Sequence, residues 1–324
     1  MPPARRDEHR RIYALPVEIS IVIPAYNEAD RIDEGFDRLR PVLEQLGPER
    51  VEVIVVDDGS SDGTGRTAAV TYGALPHSLV VHQETNRGKG AAFRLGVSVA
   101  RGASLVVCDA DMAIDPVHLP EVLDALRTSP LAFGSRALDR PIRYDSLVRT
   151  QAGALFNHLV RRKIDTDSRD TQCGFKGFTL PAARLLAAIG LVEGFAYDVE
   201  LYYLAAQLGL IVTPVSVRWD DVKGSSVHVS RDARTMWRDI TSIPRTNYST
   251  PIVRVPSAVT LDDVDAVARS TRLQGVVLAR GETDSFVVVP RSGALAAIEI
   301  AASLGGSVGT AQLADVRGRE LSAL

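Results

Sequence analysis

Three features of this 324-residue chain predict an α/β domain with a mainly parallel sheet, followed by a small α+β appendage. Short apolar runs alternate with longer amphipathic stretches, the pattern of strand–helix–strand crossovers. The runs are four to six residues of mostly Val, Ile or Leu, as strands buried on both faces require. Polar residues gather where the runs stop, and open parallel sheets take their ligands beyond the carboxyl ends of the strands.

Taken in order, Ile19–Ile23 is the first strand and stops at Pro24. Ile32, Phe36, Leu39, Leu43 and Leu46 then step by three and four, one face of a helix. Pro41 falls inside that pattern and predicts a kink or a division. Val51–Val56 ends at Asp57-Asp58-Gly59, and Ser61 or Asp62 suits the cap of the next helix. Ser78–Val81 and Leu105–Cys108 are the third and fourth strands, the latter ending at Asp109. Asp115-Pro116 reads as a helix start. Helical patterns near 182–189 and 197–208 precede a strand near 211–217. The Thr-, Ser- and Pro-rich stretch 241–256 reads as a linker. Beyond it lie a helix near 261–270, β-rich runs at 275–279 and 285–289, a helix near 293–303 and a polar end. The predicted organisation is a basic arm at 1–17, the α/β domain at 18–240, a linker at 241–256 and a small unit at 257–324. That unit has no Lys, His or Cys and no motif that carries chemistry; a homo-oligomer contact is one role open to it.

Composition narrows the function classes. Hydrophobic residues at 45% and charged residues at 24% support a sizeable core and exclude a disordered or fibrous chain. A net charge of −3 gives no basic field for nucleic acid. Two cysteines make no disulfide framework and fit a reduced, cytoplasmic compartment. No run approaches the roughly 18 apolar residues of a membrane span. The N-terminal segment carries four arginines in eleven residues without a following apolar run, so it does not read as a signal peptide. A solvated arm and a weak attraction to anionic lipid heads both remain open for it.

Three clusters carry chemistry. Asp109-Ala110-Asp111 puts two carboxylates on one side of an extended backbone, which suits Mg²⁺ or Mn²⁺ completed by phosphate oxygens. Asp57 and Asp58 end a strand, where an acid can accept a hydrogen bond from a nucleobase N–H. Asn86-Arg87-Gly88-Lys89-Gly90 brings close-approaching backbone and a lysine to a helix start, suited to phosphate, although it is not a P-loop. Downstream, Arg136, Arg140, Arg143, Arg149, Arg161, Arg162 and Lys163 fall within 28 residues, and Arg231, Arg234 and Arg238 form a second basic helix face. These are either solvated faces or guides for phosphate heads at a membrane surface. Trp237 reads as packing before it reads as a lipid anchor, and Cys108 and Cys173 read as buried small side chains.

The order of Pro24-Ala25-Tyr26-Asn27-Glu28, Val56-Asp57-Asp58-Gly59-Ser60, Asn86–Gly90 and Asp109-Ala110-Asp111 resembles family-2 glycosyltransferases of the GT-A nucleotide-sugar fold, over about residues 18–240. Arg169-Asp170-Thr171-Gln172-Cys173-Gly174-Phe175-Lys176 is similar to the branch that makes polyprenyl-phosphate sugars, as are Phe133-Gly134-Ser135-Arg136 and the run from Val217-Arg218-Trp219 to Gly224-Ser225-Ser226. Within that branch the string resembles dolichyl-phosphate glucosyltransferases more than the mannosyl enzymes.

The resemblance implies an inverting transfer of a hexose, glucose first, from UDP-glucose or GDP-mannose to a polyprenyl phosphate. It implies that Pro24, Tyr26 and Glu28 line the nucleotide pocket, that Asp57 or Asp58 reads the base, and that Lys89 faces the nucleotide. Asp109 and Asp111 would hold the metal and pyrophosphate, Arg136 the acceptor phosphate, and Asp170 and Gln172 would border sugar and acceptor. Ala113 stands where relatives often have Gln, which implies a metal leaning more on water. His228 is a candidate late addition to the metal shell. A hydroxyl acceptor would need a base, and Asp170 and Asp198 are the candidates, with raised pKa expected if buried. The alternatives are a cytosolic family-2 enzyme with a soluble acceptor and a non-catalytic nucleotide-sugar scaffold. Under the first reading the chain works at the cytoplasmic face, peripheral to an anionic membrane surface.

Overall fold

The structure is a computed structural model, and it describes residues 17–138, 157–164, 166, 168, 170–219, 229–271, 273, 275–281, 284–290 and 296–323. The basic arm up to residue 16, Arg140, Arg143, Arg149 and His228 lie outside the described residues, as do the side chains of Arg231 and Arg234.

The α/β domain is built on a seven-stranded sheet. Its strands are β1 (Ile19–Ala25), β2 (Val51–Asp57), β3 (Ser78–His82), β4 (Ser104–Val107), β5 (Leu131–Ser135), β6 (Lys176–Thr179) and β7 (Val212–Ser216). The order is β3-β2-β1-β4-β6-β5-β7, and only β6 runs against its neighbours. Strand β1 pairs in parallel with both β2 and β4, so all three release their chains at one edge. Alternate residues face opposite sides, as the pleat demands. Ile21, Ile23, Val53 and Val55 join one apolar layer, with α1 (Ile32–Leu46), α2 (Thr64–Tyr72) and α4 (Leu119–Ala125). Val22, Ile54 and Val56 join the other, with α3 (Lys89–Val99), α5 (157–164), α6 (Leu180–Ile189) and α7 (Tyr197–Leu208).

Helix α8 (Val229–Ser242) leads to a five-stranded antiparallel sheet. It comprises β8 (Ser249–Val255), β9 (Val277–Arg280), β10 (Ser285–Val288), β11 (Ser307–Gln312) and β12 (Glu320–Ala323), in the order β11-β8-β10-β9-β12. Helices α9 (Leu261–Thr271) and α10 (Ala296–Leu304) cover one face with Val253, Leu278 and Val287. The other face, with Ile252, Ala279, Phe286 and Val288, joins the core of α6 and α7, and α11 (Leu313–Val316) closes that side.

Four expectations need correction. The supposed linker holds β8, an inner strand paired on both sides, so the second unit starts before residue 257. Its Thr and Ser fit strand positions, and Pro251 sits where the pairing with β11 tolerates it. The polar end is not irregular: it supplies β11 and β12, the two edges, whose exposure hides the apolar alternation. Helix α1 runs unbroken through Pro41, which lies on its solvent face where water can take the carbonyl its missing N–H leaves unpaired. Strand β3 is an edge strand, largely open to solvent, and not buried on both faces.

Candidate active site

The loop after β1 is stitched to the loop after β2. The Asn27 N–H donates to Ser60 Oγ (3.0 Å), Glu28 N–H to Thr64 Oγ1 (2.8 Å) and Ala29 N–H to Asp62 Oδ2 (3.0 Å). Asp62 Oδ1 also accepts the Thr64 N–H (2.9 Å) and so ties the two loops together, but the cap of α2 is Gly63, in a left-handed conformation, and neither Ser61 nor Asp62. Asn27 (φ 53°) and Met112 (φ 46°), after β1 and β4, are the non-glycine residues with positive φ among those described. Such strain concentrates at functional sites. Tyr26 stands 41% exposed beside them, its ring open to a ligand.

The two acids after β2 do different work. Asp57 accepts the Ser60 N–H (3.0 Å) and lies 3.1 Å from His82 Nδ1. Asp58 takes Gln83 Nε2 (2.6 Å), the Arg87 N–H (2.8 Å) and the Gly88 N–H (2.7 Å). Burial pushes its carboxyl up against the pull of those N–H groups. Asp58 therefore shapes the 86–90 loop. Gly88 (φ 101°) is required there, since a Cβ would come within 2.6 Å of the Glu193 carbonyl.

At the head of α3, Lys89 forms an ion pair with Asp109. Burial pushes Asp109 up, but Lys89, with Lys176 and Arg136 further off, holds it below the usual carboxylate range. Asp111 is raised, first by burial and then by Asp109. Arg31 lies 2.6 Å from Glu28 Oε2 and 3.6 Å from Asp111 Oδ2. Burial pushes Glu28 up to about 7, with Arg31 opposing and Asp111 adding to the rise. Two glycines let this cluster assemble. A Cβ on Gly35 would sit 2.1 Å from the Ala110 carbonyl, and one on Gly174 would sit 1.9 Å from Asp109 Oδ2.

The pair Asp109 and Asp111 fits a divalent cation. Asp109 raises the charging cost of Asp111, which a cation between them would relieve. No group of three or more His, Cys, Asp and Glu side chains suited to a metal occurs among the described residues. Mg²⁺-type sites commonly use one or two carboxylates plus water and substrate phosphate. Ala113 contributes only its N–H, to Asp111 Oδ1 (3.1 Å).

On the far side of Asp109, Arg136 grips the fully buried Asp170 in a fork: Nε to Oδ2 at 2.7 Å and Nη2 to Oδ1 at 2.8 Å. The Arg136 N–H donates to Oδ2 as well (3.0 Å), and its guanidinium lies 5.8 Å from the Trp219 ring. Burial raises Asp170, but this fork outweighs it and holds the carboxyl below its ordinary range. The expected raised pKa is thus corrected: a buried acid with a bidentate arginine stays charged. Asp198 is paired with Lys176 (2.7 Å). Gln172 reaches Met236 Sδ (3.7 Å) on α8. Cys108 and Cys173 are buried as expected, and burial pushes the Cys173 thiol up to about 11. Trp237, expected to pack, is 38% exposed.

Pro24, Tyr26, Glu28, Asp57, Asp58, Lys89, Asp109 and Asp111 thus gather at one sheet edge. Two residues of this cluster were not foreseen. Arg31 has only its i,i+3 spacing from Glu28 as a signal. Lys176, 1% exposed, lies inside the Asp170–Phe178 string and neutralises Asp198.

Residues 20–184 match the model of Glycosyl transferase family 2. The chain is 38% identical over 240 residues to a dolichyl-phosphate beta-glucosyltransferase of Drosophila melanogaster, covering 69% of this chain and 73% of that one. The human enzyme of the same name is 36% identical over 226 residues, covering 65% and 69%. Among solved structures, glucosyl-3-phosphoglycerate synthase from Mycobacterium tuberculosis, in complex with Mn²⁺, UDP and glucosyl-3-phosphoglycerate, aligns with TM-score 0.51 at 20% identity over 70% of this chain and 78% of that one. Mannosyl-3-phosphoglycerate synthase from Rubrobacter xylanophilus aligns with TM-score 0.52 at 20% identity, over 71% and 73%. Those two likenesses concern the fold, and they agree with the mainly parallel sheet found here. The family model, which spans the strand ends carrying Glu28, Asp58, Lys89 and Asp109, settles the membership: this chain belongs to glycosyl transferase family 2.

Proposed function

We propose that the chain transfers glucose, with inversion, from a nucleotide sugar to a polyprenyl phosphate of the dolichyl type. The names of its relatives support this acceptor. The observation that carries it is the state of the acids on the acceptor side: Asp170 and Asp198 are both locked in ion pairs. A hydroxyl acceptor needs a base there. A phosphate monoester needs none, because its second pKa is about 6 and it is a competent nucleophile near neutrality.

The residues divide the work. Tyr26 and Asp57 flank the base, and Asp58 holds the 86–90 loop that receives the pyrophosphate. Asp109 and Asp111 would hold Mg²⁺ or Mn²⁺, which would supply positive charge against the departing nucleoside diphosphate. Lys89 adds a fixed cation on the same side. Arg136, its plane set by Asp170 and Trp219, orients the acceptor phosphate so that one oxygen meets the anomeric carbon opposite the leaving group. The new C–O bond forms as the bond to the diphosphate breaks, and no proton moves. No helix among the described residues is long and apolar enough to cross a membrane. Trp237 and Arg238, both exposed on α8, support docking of the site to an anionic lipid surface.

A radiolabel assay tests this reading: purified protein, Mg²⁺ or Mn²⁺, labelled UDP-glucose or GDP-mannose, and polyprenyl phosphate in detergent. Label should enter the organic phase from UDP-glucose and vanish with Asp111→Ala. The second reading is a soluble phosphorylated acceptor. Turnover with 3-phosphoglycerate and none with the lipid would establish it instead.

A further inference from the structure

The second unit is tied to the donor side of the site through one buried carboxylate. Glu200, in the first turn of α7, is 2% exposed. Its carboxylate accepts the N–H groups of Leu191 (2.9 Å) and Val192 (3.1 Å) in the loop between α6 and α7. It also accepts the hydroxyl of Tyr248 (2.9 Å), the residue that leads into β8. The next carbonyl of that loop, Glu193, accepts the N–H groups of Gly90 (2.7 Å) and Ala91 (3.2 Å). These are first-turn donors of α3, which have no acceptor inside the helix. Lys89 precedes them and pairs with Asp109.

The contact is closely fitted. A Cβ on Gly90 would lie 2.3 Å from the Val192 carbonyl, and one on Gly190 would lie 3.0 Å from Glu200 Oε2. Arg87 pairs with the Glu193 carboxylate, and Arg94 Nη1 donates to the Val192 carbonyl (2.9 Å). The 190–193 loop is therefore clamped between α3 and Glu200, and Tyr248 holds Glu200 from the side of the second sheet. Burial raises the pKa of Glu200 against the pull of these three donors.

We propose that Glu200 and Tyr248 are positioning residues for the donor: through the 191–193 loop they set where the head of α3 presents Lys89 to the nucleotide diphosphate. This gives the second unit a part in the reaction through Glu200. The assignment rests on the donor reading given under Proposed function.

Tyr248→Phe removes one hydroxyl and keeps the ring. It should raise the KM for the nucleotide sugar about three- to tenfold. The KM for the acceptor should stay within twofold, and kcat should change less than the donor KM. Amide hydrogen exchange of Gly90 and Ala91, followed by NMR or short peptides, should speed up in the same variant. Glu200→Gln should do more of both. Val287→Ala, on the α9–α10 face of the second sheet, is the control: it should lower Tm and move neither readout. Unchanged donor KM and unchanged exchange at 90–91 in Tyr248→Phe and Glu200→Gln would overturn the proposal. So would equal changes in a Val287→Ala variant of the same Tm. If the wild type turns over no nucleotide sugar, the transfer reading fails, and the exchange measurement alone still decides the brace.

Discussion

The carboxyl edge of the seven-stranded sheet and the five-stranded sheet behind it obey opposite rules. The first crowds Glu28, Asp58, Asp109 and Asp111 into partly buried positions and holds two non-glycine residues at positive φ. The second alternates Ile252 and Val253, Leu278 and Ala279, Phe286 and Val287 between two apolar layers. A sheet that only has to fold sorts its side chains by burial. The carboxyl edge keeps charges close together, as the proposed diphosphate site requires, at a cost the rest of the fold offsets.

Substitutions can break or sharpen this contrast. The largest effect belongs to Arg136→Ala. It leaves the fully buried Asp170 without its cation, and losing one partner of a buried pair costs about 3–5 kcal/mol. Urea unfolding should show it, together with loss of transfer. Arg136→Lys should recover only part, because an ammonium cannot reproduce the two-toothed contact. A drop below 1 kcal/mol in the Ala variant would mean that Asp170 is satisfied elsewhere.

Phe286→Ala probes the other region. Phe286 is 1% exposed, with the guanidinium groups of Arg254 and Arg319 at 4.9 and 3.8 Å from its ring. Its loss should cost about 3 kcal/mol or more. Below Tm, kcat should stay near that of the wild type. A matching fall in kcat would erase the distinction between the two regions.

Gly174→Ala should reverse that pattern. The added Cβ displaces Asp109, and a shift of about 1 Å in a reacting group can cost 100-fold, or about 2.7 kcal/mol of barrier. Steady-state kinetics should show that loss with little change in Tm.

The smallest effect concerns pH. Glu28 titrates near 7 in the folded chain against an ordinary 4.5. A raised carboxyl binds its proton more tightly when folded, so stability falls as pH rises from 4.5 through 7. Glu28→Gln removes that dependence and should gain about 2 kcal/mol at pH 8 relative to pH 5, read from paired unfolding curves. A pH-independent difference would show that Arg31 already compensates the charge.

Much of this was legible from local pattern. The runs ending at Pro24, Asp57 and Asp109 became β1, β2 and β4 in parallel, and the periodicity of Ile32–Leu46 became α1. Asp58, Asp109 and Asp111 could be read as neighbours because parallel strands deliver their C-terminal residues to one edge, and Lys89 because a glycine-flanked lysine opens the helix after β3. The second unit was read less well. Its edge strands β11 and β12 show too little alternation to stand out, and Thr-, Ser- and Pro-rich β8 reads as a connector.

What the sequence determined by itself was the alternation that builds β1, α1, β2 and β4, the resemblance to the family, and which side chains meet at the carboxyl edge; β5, β6, β8, β11 and β12 went unread. These follow from short-range periodicity and from the chain direction within each strand. Only the tertiary structure decided what each charge does there. It turned Asp170 from a candidate base into the anchor of Arg136, made Asp58 the keeper of a loop, and joined Tyr248 to Lys89 through Glu200. The physical reason is that a carboxylate's role depends on its burial and on the cations and N–H groups within about 3 Å, and those arrive from residues dozens of positions away.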